Sequence, residues 1–270
     1  MDQGTLGAAS DDRPPIKEGT ELGPDGICTY RSWDSNFFGR RIAFANVNRL
    51  TEQAVQRVRK WCEDERIDCL YFLADSSHPE TVMLAENAGF RLVDIRVTLE
   101  RKNDMLPSSN PSSGLIRPYR EGDLPSLRNI ARLSHRDSRF YYDNNFPQSR
   151  CDALYETWID KSAHGFADIV LVAVVRGEAV GYISCQVPPT GEPQIGLFAV
   201  AEHARGSGLG TYLIVEALRW FGQRGPARVT VVTQGRNVQG QRLYQRCGFV
   251  TRSVQLCYHY WPSSGSQGEK

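Results

Sequence analysis

The sequence predicts an α/β protein, a mixed central β-sheet flanked by helices, on three observations. Short β-branched and apolar runs alternate with longer segments of helical period. A glycine-rich turn, Ala204-Arg205-Gly206-Ser207-Gly208-Leu209-Gly210, joins one such run to a helix. The same strand, helix, Gly-Phe, strand order appears on both sides of a Pro/Ser-rich stretch near residue 110.

The elements follow in order. Trp33-Asp34-Ser35-Asn36-Phe37-Phe38-Gly39 is an aromatic-rich segment near the start, and Leu70 to Ala74 reads as a strand. Pro79 to Ala88 reads as a helix and Arg91 to Glu100 as a further strand. Asn103 to Gly114 carries the clearest linker signal. Leu115 to Tyr119 is a short strand, and Glu121-Gly122-Asp123-Leu124-Pro125 opens a helix with an acidic cap and proline in its first turn. The apolar run Ile195 to Val200 precedes the glycine turn, and a helix follows over Thr211 to Phe221. Arg228 to Thr233 is β-branched and strand-like, Val238 to Cys247 helical, and Thr251 to Trp261 alternates like a last strand. Ala85-Glu86-Asn87-Ala88-Gly89-Phe90 lines up with Tyr244-Gln245-Arg246-Cys247-Gly248-Phe249. We therefore expect a polar tail at 1–22, a truncated and non-catalytic domain at 23–105 that copies the later one, a linker at 106–114, a catalytic domain at 115–262 and a polar tail at 263–270.

Composition narrows the function. With 270 residues and 40% hydrophobic content the chain can build a core or two. Lys plus Arg number 32 against 31 acids, a net charge of +1, which gives no reason to expect nucleic acid or an anionic membrane as partner. Met1 to Pro15 lacks the basic start and apolar stretch of a secretion signal, and the longest apolar run, Ile169 to Val175, is too short to span a bilayer. Seven cysteines without C-x-x-C spacing read as reduced thiols of a cytoplasmic protein, and the five histidines show no ligand spacing, so no metal is expected.

A strand running into closely spaced glycines at a helix N-terminus presents backbone N–H groups and the positive end of the helix dipole, a cradle for a pyrophosphate. Neither G-x-x-x-x-G-K-[ST] nor G-x-G-x-x-G is present. The Arg-x-x-Gly-x-Gly pattern, followed by a strand, Asn237, a helix with Tyr244 two turns on, and Gly-Phe, resembles the second half of a GNAT acetyltransferase domain. The resemblance covers roughly residues 115 to 261. It implies acetyl-CoA as co-substrate, with the backbone of Leu197, Phe198, Ala199 and Val200 pairing with the pantetheine arm. Arg205, Gly206, Ser207, Gly208, Leu209, Gly210 and Thr211 would hold the pyrophosphate and Asn237 would bond the arm. Tyr244 would be the catalytic acid that protonates the departing thiolate. The N-terminal domain would be a GNAT-like relic without a loop of this kind, extending the sheet and closing the acceptor pocket.

The acceptor wall is expected in the loop Ser134 to Ser149 and the helix after it. Ser138, Arg139, Phe140, Tyr141, Tyr142, Tyr155 and Trp158 combine a guanidinium with rings, which suits a phosphate and a flat base or sugar face. Together with the Trp33 to Gly39 segment, this order resembles GNAT enzymes that acetylate nucleotide-linked amino-dideoxysugars. Direct transfer to a neutral amine is implied. The position where many GNAT enzymes carry a glutamate base is Gln194, leaving a water path, with Glu192 and His135 as weaker alternatives. Acetylation of a protein, peptide or small-molecule amine, and a non-catalytic acyl-CoA-sensing module, stay open, as does a homodimer.

Overall fold

The computed structural model describes residues 26–102, 115–189, 192–225 and 228–262. The two tails and the linker expected at 106–114 lie outside them. The N-terminal half contributes β1 (Cys28–Tyr30), α1 (Ser32–Phe38), β2 (Ile42–Ala45), α2 (Glu52–Asp64), β3 (Cys69–Asp75), α3 (Pro79–Asn87) and β4 (Arg91–Lys102). The C-terminal half contributes β5 (Ile116–Pro118), α4 (Leu124–Ser134), α5 (Gln148–Lys161), β6 (Ile169–Val175), β7 (Glu178–Gln186), β8 (Gln194–Val200), α6 (Leu209–Gly222), β9 (Arg228–Gln234), α7 (Val238–Arg246) and β10 (Val250–Tyr260).

All ten strands form one mixed sheet in the order β1-β2-β3-β10-β4-β9-β8-β7-β6-β5. The two halves are interleaved at its centre. The last strand, β10, lies between β3 and β4, so Tyr71 faces His259 on one side and Val97 faces Val254 on the other. Strand β4 in turn separates β10 from β9, pairing antiparallel with β9 from Arg96↔Gln234 to Lys102↔Arg228. Each half therefore completes the hydrogen bonding of the other along the β4 and β10 ladders, with the Ile95 N–H turned to Asp94 Oδ1 at 2.8 Å.

Alternation along the strands divides the core between two faces. On one face Tyr71 and Leu73 of β3, Val170 and Val172 of β6, and Tyr182 of β7 pack under α1, α4 and α5. On the other, Leu70 and Phe72 lie under α2 and α3, while Leu171, Ile183, Ile195 and Val231 lie under α6 and α7. The amphipathic helices begin where local chemistry permits. The Thr51 side chain caps α2 by accepting from the Ala54 N–H, Pro79 supplies the fixed φ of the first turn of α3, and Asn237 caps α7.

The Trp33 to Gly39 segment is a docking surface between halves. Phe38 packs 5.3 Å from Phe140 and 4.6 Å from Phe146, ring centre to ring centre, and Trp33 lies 6.3 Å from Trp158. Beside it the loop before α5 is stapled to β10: Asp143 Oδ2 accepts from His259 Nδ1 at 2.7 Å and from Trp261 Nε1 at 2.9 Å. Burial opposes the charge on Asp143, but these bonds and the Asn145 N–H outweigh it and hold the carboxyl at about 2. A folded-state pKa below the unfolded value stabilises the fold above the usual carboxylate range, and that stabilisation disappears as pH falls through the folded value. Asp143→Ala should thus lower the urea unfolding free energy by about 2–4 kcal/mol near neutrality, because a buried imidazole and a part-buried indole N–H lose their acceptor. The gap to the wild type should narrow below about pH 4. A neutral-pH loss under about 0.5 kcal/mol would contradict the staple.

Candidate active site

The site arises where the sheet fails to stay paired. Parallel strands β8 and β9 pair only at Gln194↔Thr230 and Ile195↔Val231, then part. From residue 197 onward one edge of β8 is open while the other remains bound to β7 through Ile183↔Phe198 and Gly181↔Val200. An irregularity in that ladder turns the Leu197 N–H onto Ser184 Oγ at 2.7 Å. The result is a cleft of about 470 Å³ that passes between the strands, bordered by Tyr244 on the α6/α7 face and by His135 and Tyr155 on the α4/α5 face.

The glycine turn forms one end of the cleft. Gly206 and Gly208 have φ of +79° and +85°, a region that costs L-residues about 1 kcal/mol or more, so the turn needs glycine there. Gly210 is needed for a different reason: a Cβ on it would come within 3.0 Å of the Leu243 side chain and 3.3 Å of the Phe198 ring. Hydrogen at this position lets α6 start close against both α7 and β8, where a Cβ would make the Leu243 side chain or the Phe198 ring give way. Tyr212 is the first residue of α6 whose N–H reaches a helical carbonyl, Gly208 O at 3.1 Å, so the N–H groups of Leu209, Gly210 and Thr211 point out of the helix end. Arg205 folds back to donate Nε to Val200 O at 3.1 Å, and Ser207 Oγ bonds Ala204 O at 2.6 Å, so these two side chains shape the turn. Ser207 does not line the cleft, whereas the other residues expected to hold the co-substrate do.

Asn237 has its side chain committed locally. Its Oδ1 accepts from the Gly240 N–H at 2.9 Å and its Nδ2 donates to Thr233 Oγ1 at 3.0 Å. Tyr244, two turns along α7, is 4% exposed and packs between the Phe198 and Phe249 rings. Burial pushes its phenol above the ordinary value, so it keeps its proton at neutral pH.

On the opposite face several expected acceptor residues belong to the core. Phe140 is 2% exposed within the Phe38, Phe146 and Trp158 cluster, and Trp158 itself is 8% exposed. The Arg139 guanidinium lies over the Tyr71 and Phe140 rings, 4.6 and 4.4 Å from their centres, away from the cleft wall. Tyr141 donates to Asp152 at 2.7 Å, and Tyr142 stacks under Arg236. The physical reason is that this loop carries the packing between the two halves, a demand that an aromatic cluster in sequence does not distinguish from ligand binding. Of the seven residues expected to form the acceptor wall, Tyr155 lines the cleft, joined by His135, which stacks on it at 4.6 Å and shares a 2.9 Å hydrogen bond with the Tyr182 hydroxyl. Burial pulls the His135 imidazole down to about 4, so it is neutral at physiological pH.

Beneath Tyr155 and Val232 to Gln234 lies a second cavity of about 20 Å³, room for one water, bordered by Asp94, Arg96, Ser138, Arg139 and Cys257. Asp94 is a residue that sequence reasoning passed over, because it sits in the half expected to be silent. It pairs directly with Cys257 of β10, so the two side chains share one face of the sheet. Burial pushes Asp94 up to about 6, against the lowering effects of the Ile95 N–H, Arg236 and the Arg139 N–H. Of the two weaker base candidates, Glu192 pairs with Arg252 while His135 lines the cleft, and Gln194, at the usual glutamate position, donates Nε2 to Gln186.

The comparisons with known proteins agree with this geometry. Residues 126–249 match the acetyltransferase (GNAT) family. The chain is 26% identical over 236 residues to dTDP-fucosamine acetyltransferase of Escherichia coli, covering 85% of this chain and 94% of that one. It is 28% identical over 147 residues to the spore coat polysaccharide biosynthesis protein SpsD of Bacillus subtilis, a match that spans 54% of this chain and only 50% of SpsD. A GCN5-related N-acetyltransferase from Sphaerobacter thermophilus superposes with a TM-score of 0.62 at 17% identity, over 89% of this chain and 79% of that one, and so shares the fold. The parted strands, the glycine turn between them and these matches together place an acetyltransferase domain of the GNAT family in this chain.

Proposed function

We propose that the protein transfers the acetyl group of acetyl-CoA to the amine of a nucleotide-linked amino-dideoxysugar. The observation that carries the reading is the opening between β8 and β9, with a buried phenol on one face of the sheet and a buried carboxylate near the other. An acyl thioester supplies the transferred group when bound. The residues fit it: the free edge of β8 offers backbone bonds to an extended arm, and the glycine turn offers outward N–H groups and the helix dipole to a pyrophosphate. The sugar acceptor is supported by the relation to dTDP-fucosamine acetyltransferase across most of both chains.

Division of labour follows from placement. Backbone N–H groups of β8 near Phe198 polarise the carbonyl under attack. When the acceptor nitrogen has bonded to that carbon, its surplus proton passes through one water in the small cavity to Asp94, whose raised pKa makes it a stronger base than an ordinary aspartate. As the carbon–sulfur bond breaks, Tyr244 gives its proton to the thiolate, and solvent exchange restores both groups. The N-terminal half, expected to be non-catalytic, thus supplies the base, while the remaining groups come from residues 115–262. The polar Nδ1 of His135 would contact the acceptor.

Tyr244→Phe removes one hydroxyl with almost no change of volume, so kcat should fall by about 10² to 10⁴ while acetyl-CoA still binds. A kcat within about threefold of the wild type would move the acid role off this residue.

Asp94→Asn should lower kcat/KM by about 10² to 10⁴ at mildly alkaline pH. A base works only when deprotonated, so the ratio of wild-type to Asp94→Asn rates, in which titration of the acceptor amine cancels, should drop as pH falls through about 6. A ratio that stays flat from about pH 5 to about pH 8 would exclude Asp94 as the proton acceptor.

A further inference from the structure

Arg236, in the turn between β9 and α7, touches more separate segments than its position as a loop residue requires. Gly235 before it makes room: its N–H reaches Ile95 O at 2.6 Å, and a Cβ there would sit 2.7 Å from the Ile95 Cβ. Asn237 after it caps α7, the helix that bears Tyr244. The guanidinium then reaches across. Nη1 and Nη2 both donate to Val93 O at 3.1 Å, Nη1 also lies 3.4 Å from Asp137 O and 3.4 Å from Asp94 Oδ1, and the flat face stacks on Tyr142 with 3.5 Å to the ring centre. Val93 and Asp94 belong to the N-terminal half, and Asp137 and Tyr142 to the loop that borders the cleft.

We infer that Arg236 is a positioning residue for the acetyl acceptor: it locks the 134–142 wall and the Asp94 carboxylate onto the helix that carries Tyr244. The inference rests on the function proposed above. Two forked bonds, two further carbonyl and carboxylate contacts and a stacked face are geometry that a lysine cannot reproduce, since an ammonium has no plane and no fork. The arginine touches neither the glycine turn nor the open edge of β8, so its influence falls on the acceptor side of the cleft. The groups around Asp94 define what its charge can do. Arg236 approaches from the β9–α7 turn, Arg139 offers its backbone N–H from the loop, Asp137 lies in the same loop, Arg96 shares the strand, and Cys257 and Tyr155 border the cavity from β10 and α5. Arg236 Nη1 makes ion-pair contact with the Asp94 oxygen from the turn that leads into α7.

Arg236→Gln and Arg236→Lys separate position from charge, with a dTDP-linked 4-amino-4,6-dideoxyhexose as acceptor probe. Both should raise the KM of that probe about tenfold or more, with the acetyl-CoA KM changed less than about twofold. Carbon-13 titration of the Asp94 carboxyl should move upward by about 0.5 pH or more in Arg236→Gln and stay close to the wild type in Arg236→Lys. Amide exchange over 134–142 should quicken in both. An unchanged acceptor KM together with unchanged exchange and an unmoved Asp94 midpoint in Arg236→Gln overturns the inference. If the wild type does not acetylate the probe, the substrate class is what fails; exchange and the carboxyl titration need no acceptor, and unmoved values still overturn the clamp while the expected shifts still support it.

Discussion

The parting of β8 from β9 is the constraint on which the rest of the molecule depends. Parallel strands ordinarily pair along their length, and leaving a strand edge unpaired in the middle of a sheet is costly unless something takes its place. Here the pairing ends after Ile195, and where the strands part Phe198 of β8 packs against Tyr244 of α7, with Gly210 of α6 close to both Leu243 and the Phe198 ring. A β8 edge with free backbone groups is thereby built beside a helix end with free N–H groups. The two polar deficits lie in one cleft, and an extended ligand with an anionic tail satisfies both.

The second constraint is the interleaving of the halves. Because β4 is inserted between β9 and β10, the carboxylate of Asp94 reaches the small cavity beside β9, where it meets Ser138, Arg139, Tyr155 and Cys257 of the C-terminal half. The insertion also explains the dense aromatic packing of the loop around Phe140. That loop must close over β3 and β10 of the interleaved sheet, and it does so with Phe38, Tyr71, Phe146 and His259 rather than by facing the cleft. Stability and chemistry are coupled in this arrangement. The same segment that completes the core carries the wall on which an acceptor would rest, and Arg236 joins that wall to the helix that carries Tyr244.

Much of the fold was legible in the sequence because its signals are local. The glycine turn, the β-branched run before α7 and the Gly-Phe that ends it each express a backbone requirement, and the strands and helices expected for residues 195–261 match β8 through β10 within a few residues. The cleft residues on that side were legible for the same reason. Strand order was not, since nothing in the alternation of Arg91 to Glu100 says that it pairs with β9 and β10 rather than with its own half. Asp94 was missed on that account. On the acceptor side, Arg139, Phe140 and Trp158 have the composition of a ligand wall and are buried in the packing between the halves, Arg139 and Phe140 also bordering the small cavity. A basic residue amid aromatic rings reports burial and ligand contact equally, and only the position of the neighbouring half decides between them. Arg236 gave no signal of its own, because its partners Val93, Asp94, Asp137 and Tyr142 are distant in sequence.

The central claim is that the acceptor is a nucleotide-linked amino sugar acetylated at its amine. The most direct test is to present the purified protein with acetyl-CoA and either a dTDP-linked 4-amino-4,6-dideoxyhexose or the same sugar without its nucleotide, identifying the products by mass spectrometry and measuring kcat/KM for each. The account predicts N-acetylation of the linked sugar with a kcat/KM at least about tenfold above that of the free one, the advantage expected from one charge-assisted contact to the diphosphate. Equal efficiency on both, or acetylation of neither, would contradict it.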